Sequence, residues 1–190
     1  MRHLLTSRPF FWLLLALPSF GMIHAASQAG ADLEELLHPT GEFSVRFLII
    51  AMALTPLVQL FPASQLIRWL LARRRALGVA SFGYAALHTI FYVLAMGNLK
   101  DMLAELGATG IWTGWLAMLL FVPMAITSND AAMRALRAGW KRIQRLAYPA
   151  ALLTLLHWVT VHDGAMGAAV HFAPLAVLEA VRLFRNWRPT

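Results

Sequence analysis

The sequence contains no cysteine, which excludes disulfide bonds, iron–sulfur clusters and zinc sites built from thiolates. Charge is also scarce, because Asp, Glu, Lys and Arg make up only 13% of the 190 residues, whereas soluble globular domains contain about 25%. No glycine-rich loop of the kind that cradles a phosphate is present, so a Rossmann or P-loop nucleotide site is excluded. These absences argue against a soluble, nucleotide-dependent enzyme.

Apolar residues make up 59% of the chain, and the mean hydropathy is +0.63. Six stretches contain no charged residue at all: 9–31, 47–67, 76–99, 106–129, 146–162 and 164–178. A transmembrane helix needs about 20 predominantly apolar residues, and the last two stretches approach that length with their flanking residues. The sequence therefore predicts an all-α fold, a polytopic membrane helix bundle that forms one domain over residues 1–190. Its six transmembrane helices are predicted at residues 9–27, 44–62, 77–97, 110–127, 146–162 and 165–184.

The basic residues are distributed unevenly between the two sides of this bundle. Fourteen of the 16 lie in the two termini and two inner loops, and only Arg46 and Lys100 lie on the other side. The positive-inside rule therefore predicts that both termini are cytoplasmic. The basic segments are then expected to lie at the surface of the lipid bilayer. Binding of nucleic acid is not expected, because no basic face with interleaved aromatics exists outside the spans. Residues 1–26 also resemble a cleavable signal peptide, whose removal would leave five spans.

Two histidines lie deep in predicted spans and at the same depth. His88 follows Arg75 by 13 positions, and His157 follows Arg145 by 12, which places the imidazoles about 19 and 18 Å from the basic face at 1.5 Å per residue. Two neutral imidazoles at one level on different helices are what axial ligation of a membrane haem requires. Taken singly, each histidine is also explained as an interhelical hydrogen-bond donor.

The surroundings of His88 provide further candidates. Small and aromatic residues lie three or four positions from it: Tyr84, Ala85, Phe91 and Tyr92. Such residues share a helix face, so Tyr84 and Tyr92 are expected to contact a bulky planar cofactor. His171, 11 positions before Arg182, is a candidate third ligand or a partner of a ligand.

Other histidines and glycines have simpler explanations. Four histidines are predicted at the outer mouth of the bundle or outside its core, and are not expected to be ligands: His3, His24, His38 and His162. Gly110 and Gly114 form a small-xxx-small pair, which is typical of close helix packing.

Several short motifs follow one another in a fixed order over about residues 30–160. They are Thr40-Gly41-Glu42, Ala53-Leu54-Thr55-Pro56-Leu57, Arg74-Arg75-Ala76-Leu77-Gly78, Leu87-His88, Ala125-Ile126-Thr127-Ser128, Arg145-Leu146-Ala147-Tyr148 and Leu156-His157. Each motif alone is weak, but their order resembles the ferric-reductase-like transmembrane domain superfamily and, within it, the MsrQ family.

The resemblance implies a six-helix b-type cytochrome in which His88 and His157 hold one haem b. Such a subunit of an oxidoreductase complex passes electrons across the bacterial inner membrane, from a cytoplasmic flavin reductase or from quinol to a periplasmic oxidoreductase. In MsrQ relatives the acceptor is a molybdenum enzyme that repairs oxidised methionine. The acidic outer residues Asp32, Glu34 and Glu35 are a candidate docking surface for it.

Basic residues near the inner loops are candidate contacts for the electron donor. Arg75 and Arg145 belong to a rim that could bind the phosphate of flavin mononucleotide (FMN) or an acidic flavoprotein, although the positive-inside rule alone also explains them. Gln144 stands where MsrQ relatives have a histidine. Neither Gln144 nor Arg75 is expected to hold the second haem of larger members.

Two other functions remain open on the sequence alone. One is a stand-alone ferric or quinone reductase of the same superfamily, which has a small-molecule acceptor and would not co-purify with a periplasmic enzyme. The other is a haem-free transport or assembly protein, whose histidines only join helices. The second alternative predicts a colourless preparation.

Overall fold

The structure is a computed structural model that describes residues 7–161 and 164–187. The expectations for His3 and His162 lie outside these described residues. Within them the regular secondary structure is entirely helical, and no strand occurs. Turns join most of the helices, and a longer irregular segment covers residues 27–36.

Long helices form where the sequence lacks charge, and short helices form between them. The helices are α1 (Arg8–Ala26), α2 (Leu37–Leu60), α3 (Gln65–Leu71), α4 (Arg74–Met96), α5 (Leu99–Glu105), α6 (Thr109–Ile126), α7 (Asp130–Leu136), α8 (Ala138–Gln144), α9 (Ala147–Val161) and α10 (Ala165–Trp187). Three short helices begin at a capping residue: the side chains of Ser64, Asn98 and Asn129 each accept a hydrogen bond from the backbone N–H three positions later. Such caps satisfy N–H groups that the first turn of a helix leaves unpaired.

The predicted all-α, multi-pass bundle is confirmed. Among the described residues, α1, α2, α4, α6 and α10 are long and apolar enough to cross a membrane. Helix α9 covers the remaining predicted span with 15 residues, about 22 Å of helix at 1.5 Å per residue. Helix α2 begins at Leu37, seven residues before the start of the span that was predicted at residues 44–62. Glu42 and Arg46 are therefore helical, and they form an ion pair one turn apart, which lets the helix accommodate both charges.

Two antiparallel helix pairs form the centre of the bundle. Helix α2 packs most extensively against α4, and α6 against α9. In the first pair two buried serines bond reciprocally: Ser44 Oγ donates to the Ser81 carbonyl at 2.9 Å, and Ser81 Oγ donates to the Ser44 carbonyl at 2.8 Å. Small side chains of this kind let membrane helices approach closely and hydrogen-bond across the interface.

An apolar core connects the two central pairs with α10. Buried members of this core include Leu48, Phe121, Trp158 and Phe172. Helix α1 packs separately on the outside of the first pair, where Phe11 and Leu15 contact Leu54 and Leu77. The arrangement leaves one face of the long helices apolar and exposed, as expected for a lipid-facing surface.

The basic segments meet at one end of the bundle, called here the basic end. Four contacts join them: Arg74 with Thr55, Arg75 with Asp130, Arg182 with Tyr148, and Arg185 with Gln59. The Arg75 guanidinium beside Asp130 holds the pKa of that carboxyl below its usual range, because the positive charge favours the ionised form. These contacts connect the ends of α2 and α10 to the starts of α4, α7 and α9.

The Ser44–Ser81 contact gives a test of the first helix pair. We expect Ser81→Leu to push α2 and α4 apart, since Ser81 is 0% exposed and overpacking a close interface costs about 1–3 kcal/mol. Thermal unfolding in detergent would show a lower midpoint than for the unchanged protein. Gly83→Leu is the matched control, because a Cβ at Gly83 meets nothing within 4 Å. Equal midpoints for the two variants would contradict the described packing.

Candidate functional site

The structure brings the His88 and His157 side chains together inside the bundle. His88 projects from α4 and His157 from α9, and their ring centres are 5.9 Å apart with the ring planes at 89°. Both side chains are half-buried. The site lies far from the basic end, because the two imidazoles contact the first residues of α2 and α6.

Both imidazoles donate a hydrogen bond to a helix carbonyl. His88 Nδ1 is 2.9 Å from the Leu37 carbonyl oxygen, and His157 Nδ1 is 2.6 Å from the Gly110 carbonyl oxygen. A carbonyl only accepts, so Nδ1 carries a proton in each ring, and in the neutral form of the ring Nε2 carries the lone pair. Metal-binding histidines are held in the same way, with one nitrogen donating to a carbonyl and the other facing the metal.

The imidazoles of His88 and His157 fit a metal that carries further ligands of its own. The described residues contain no group of three or more His, Cys, Asp or Glu side chains that could hold a metal ion. A bare ion of the zinc type takes about four ligands, which two imidazoles do not supply. Haem iron takes its four equatorial ligands from the porphyrin and needs only axial ligands from the protein.

The ring spacing fits the same arrangement. Two imidazoles that share one metal through bonds of about 2 Å have ring centres about 6 Å apart, and the observed separation is 5.9 Å. A direct hydrogen bond between the two rings is not needed to explain their approach, because each Nδ1 already donates to its own carbonyl.

A cavity surrounds the two rings. It encloses about 870 Å³ of space between protein atoms when its open side is counted. The lining is His38, Gly41, Glu42, Ser44, Val45, Ala85, His88, Thr89, Tyr92, Ile111, Gly114, Trp115, Ala117, Met118, Phe121, Thr154, His157 and Trp158. Small and aromatic residues of this kind pack against flat apolar ligands.

The expected aromatic stripe around His88 divides between two sides of α4. Tyr92 and Ala85 line the cavity, whereas Tyr84 packs on Phe43 with ring centres 5.3 Å apart. The Tyr84 hydroxyl donates to the Leu15 carbonyl at 3.0 Å and accepts from a backbone N–H of α1. The physical reason is helix geometry: at 100° per residue, positions i+4 and i−3 lie on one flank of residue i, and positions i−4 and i+3 lie on the other. Tyr84 therefore ties α4 to α1 instead of lining the cavity.

His171 belongs to a charged network beside the cavity. Its Nδ1 donates to the Gly167 carbonyl at 2.9 Å, and its Nε2 accepts from Arg46 Nε at 3.4 Å. Arg46 also pairs with Glu42, which lines the cavity. His171 is thus connected to the site through Arg46 and Glu42, and it is not among the residues that line the cavity. No role was predicted for Glu42 or Arg46, which were counted only among the charges on the outer side of the bundle.

A second cavity opens at the basic end. It encloses about 1,820 Å³, its open side included, and five cationic residues line it: Arg74, Arg75, Lys141, Arg145 and Arg182. Trp140 and Tyr148 add aromatic walls. The candidate residues Arg75 and Arg145 therefore lie together here and away from the two imidazoles.

Gln144 also lines the basic cavity. Its side-chain amide donates to the Met124 carbonyl at 3.1 Å and to Thr127 Oγ1 at 3.2 Å. Both partners belong to the end of α6, so Gln144 joins α8 to α6. This engagement is a structural role that a histidine ligand at the same position would not have.

Gly114, which was interpreted as a packing position, also lies against a histidine of the site, and so does Gly41. A Cβ built at Gly114 would lie 2.8 Å from His157 Nδ1, and one built at Gly41 would lie 3.3 Å from His88 Nδ1. The available signal was the dipeptide Thr-Gly, which occurs at residues 40–41, 109–110 and 113–114. The glycine of the first pair lies beside His88, and the glycine of the last pair lies beside His157.

Known proteins resemble this chain over most of its length. A family model described as "Ferric reductase like transmembrane component" matches residues 40–155. The protein-methionine-sulfoxide reductase heme-binding subunit MsrQ of Xanthomonas oryzae pv. oryzae is 38% identical over 162 aligned positions, which cover 83% of this chain and 72% of that protein. The protein of the same name from Brucella ovis is 32% identical over 196 aligned positions, which cover 97% of this chain and 86% of that protein. No solved structure matches the chain.

The charged network gives a second test. We expect Arg46→Met to lower the free energy of unfolding by up to about 1 kcal/mol, because the half-buried Glu42 then loses its ion-pair partner. The double variant Glu42→Gln/Arg46→Met should recover part of the loss, since neither charge remains. Unfolding in detergent measures all three, with the exposed Lys100→Met as the control variant. A double variant as unstable as Arg46→Met would contradict the pairing.

Proposed function

Because this chain belongs to the ferric reductase like transmembrane component family, we propose that it is the b-type haem membrane subunit of an oxidoreductase complex. It takes electrons from a cytoplasmic flavin reductase or from quinol and delivers them across the bacterial inner membrane to a periplasmic reductase. Its relatives are named heme-binding subunits of protein-methionine-sulfoxide reductases. The proposed acceptor is accordingly a molybdenum-dependent enzyme that repairs methionine sulfoxide.

The observation that carries this proposal is the pair of imidazoles 5.9 Å apart in a cavity between four helices. His88 and His157 would hold the haem through their Nε2 atoms. When bound, haem supplies one-electron chemistry at its iron. The protein's part is to fix the ligands, exclude water and set the electrostatics.

The hydrogen bonds to Leu37 and Gly110 fix the tautomer of each ligand. A histidine whose Nδ1–H donates to a carbonyl is a more basic ligand through Nε2. Greater basicity stabilises the more highly charged ferric state. The two bonds therefore favour a low reduction potential, which suits a subunit that passes electrons on to an acceptor.

Apolar residues separate the site from water and from the basic cavity. Val45, Ala117 and Phe121 are 3–5% exposed and line the imidazole cavity, and Phe121 also lines the basic cavity. A single buried side chain thus contributes to the walls of both cavities. This short separation supports a path for electrons from a donor at the basic end to the imidazole site.

The two ends of the bundle suit different partners. By the positive-inside rule the basic end is cytoplasmic, so Arg145 and Lys141 are available there to an anionic donor such as FMN or an acidic flavoprotein. The imidazole site lies towards the opposite, periplasmic end, near the segment that carries Asp32, Glu34 and Glu35. That segment is exposed at all three acidic residues and is the proposed docking surface for the acceptor.

The absorption spectrum of the purified protein tests this function. We expect a Soret band in the oxidised protein and a sharpened α band after dithionite reduction. His88→Ala and His157→Ala should each lower the haem content at least tenfold, because a single imidazole leaves the iron with one axial ligand. The controls are His171→Ala and the exposed His24→Ala, which should keep the haem content of the unchanged protein.

Two outcomes would contradict the proposal. A colourless preparation that remains colourless after haem is added would support the haem-free alternative. A Soret band that survives both His88→Ala and His157→Ala would place the haem elsewhere. Co-purification of a periplasmic enzyme separates the proposed subunit from a stand-alone reductase.

A further inference from the structure

The same dipeptide contacts both histidines of the site. Thr40-Gly41 lies in the second turn of α2, beside His88 of α4. Thr113-Gly114 lies in the second turn of α6, beside His157 of α9. Both threonines are 0% exposed. The α2–α4 pair and the α6–α9 pair therefore place the same two residue types against a histidine of the partner helix.

The two threonines make the same hydrogen bonds. The single hydroxyl hydrogen of Thr40 is shared between the Leu36 carbonyl, 2.7 Å from Oγ1, and the Leu37 carbonyl, 3.0 Å from Oγ1. That of Thr113 is shared between the Thr109 carbonyl at 2.6 Å and the Gly110 carbonyl at 2.9 Å. In both helices the second carbonyl, three positions before the threonine, is the one that also accepts the histidine Nδ1–H.

The two glycines occupy the same position relative to that carbonyl. In an α-helix the carbonyl of residue i points towards residue i+4. Gly41 is four positions after Leu37, and Gly114 is four positions after Gly110. A side chain at i+4 would cover the approach to the carbonyl, and its absence leaves the space in which the imidazole reaches it.

The distances show how closely each ring fills this space. A Cβ at Gly114 would lie 2.8 Å from Nδ1 and 2.9 Å from Cε1 of His157, and a Cβ at Gly41 would lie 3.3 and 3.4 Å from the same atoms of His88. A contact under about 3 Å would force one of the two groups to move. The His157 ring is therefore more tightly enclosed than the His88 ring. By contrast, a Cβ at Gly110 would meet Val161 Cγ2 at 2.4 Å, which is a helix-packing contact.

We propose that Thr40-Gly41 and Thr113-Gly114 form two equivalent cradles that position the imidazoles of His88 and His157 with their ring planes perpendicular. In each cradle the glycine admits the ring edge, and the threonine hydroxyl holds the accepting carbonyl in place. All four are positioning residues, since they act through the histidines. This inference rests on the proposed haem function.

Electron paramagnetic resonance (EPR) of the ferric haem provides the test, because the signal depends on the angle between the two axial imidazole planes. The observed angle of 89° predicts the highly anisotropic low-spin signal of perpendicular ligands. Gly114→Ala should lower haem content at least tenfold or abolish this signal. Gly41→Ala, with its milder overlap, should keep most of the haem and shift the signal. Gly83→Ala, on α4 with open space around its Cβ, should match the unchanged protein in both measurements.

The threonines are tested by a conservative pair of variants. Thr113→Val keeps the shape of the side chain and removes the hydroxyl, so the EPR signal should shift while haem content stays above half. Thr113→Ser restores the hydroxyl and should restore the signal. Circular dichroism and gel filtration of each variant check that the bundle is intact, and if Gly114→Ala does not accumulate, Gly41→Ala and Thr113→Val decide the question.

The outcomes separate this inference from the function on which it rests. A colourless unchanged protein would overturn both. A haem-containing unchanged protein would leave the function standing, and the cradles would then be overturned if Gly41→Ala and Gly114→Ala matched Gly83→Ala in haem content and EPR signal. Equal damage by all three glycine variants would also overturn them, since the effect would then be general to these helices.

Discussion

The hydrogen bond from each imidazole Nδ1 to a helix carbonyl is the interaction on which the site depends. A helix carbonyl already accepts the N–H four positions on, so a second donor reaches it only where the helix surface is open. Glycine at positions 41 and 114 provides that opening. The bonds from His88 and His157 in turn set which nitrogen of each ring carries the lone pair. The orientation of both imidazoles is therefore determined by backbone groups of the partner helix.

The same constraint explains the architecture around the site. The two imidazoles meet only if α2 lies close to α4 and α6 lies close to α9, and buried small residues allow both approaches. Polar groups inside a membrane are costly unless they are paired, and three side chains beside the site are engaged: Glu42 with Arg46, and Arg46 with His171. The bundle is thus polarised, with two imidazoles towards one end and a cationic cavity at the other. This polarity suits the proposed subunit, which would receive electrons at one surface and release them at the other.

The sequence predicted the fold well, because charge-free stretches and the unequal distribution of arginine reflect the bilayer directly. It also brought His88 and His157 to one level, since depth along a straight helix depends only on residue number. The ion pair of Glu42 with Arg46 within α2 was not predicted, because two charges one turn apart also fit an aqueous segment. The sequence assigned Tyr84 to the cavity because a separation of four residues does not say on which flank of His88 a side chain lies. The Thr-Gly pairs were overlooked, since their meaning appears only when the partner helix is in place.

The most direct test of the account is the position of the iron in an experimental structure of the purified protein. Anomalous scattering at the iron absorption edge locates the metal independently of the protein coordinates. The account predicts one iron peak between the Nε2 atoms of His88 and His157, about 2 Å from each. A peak in the basic cavity beside Gln144, or an iron bound by only one of these histidines, would contradict it.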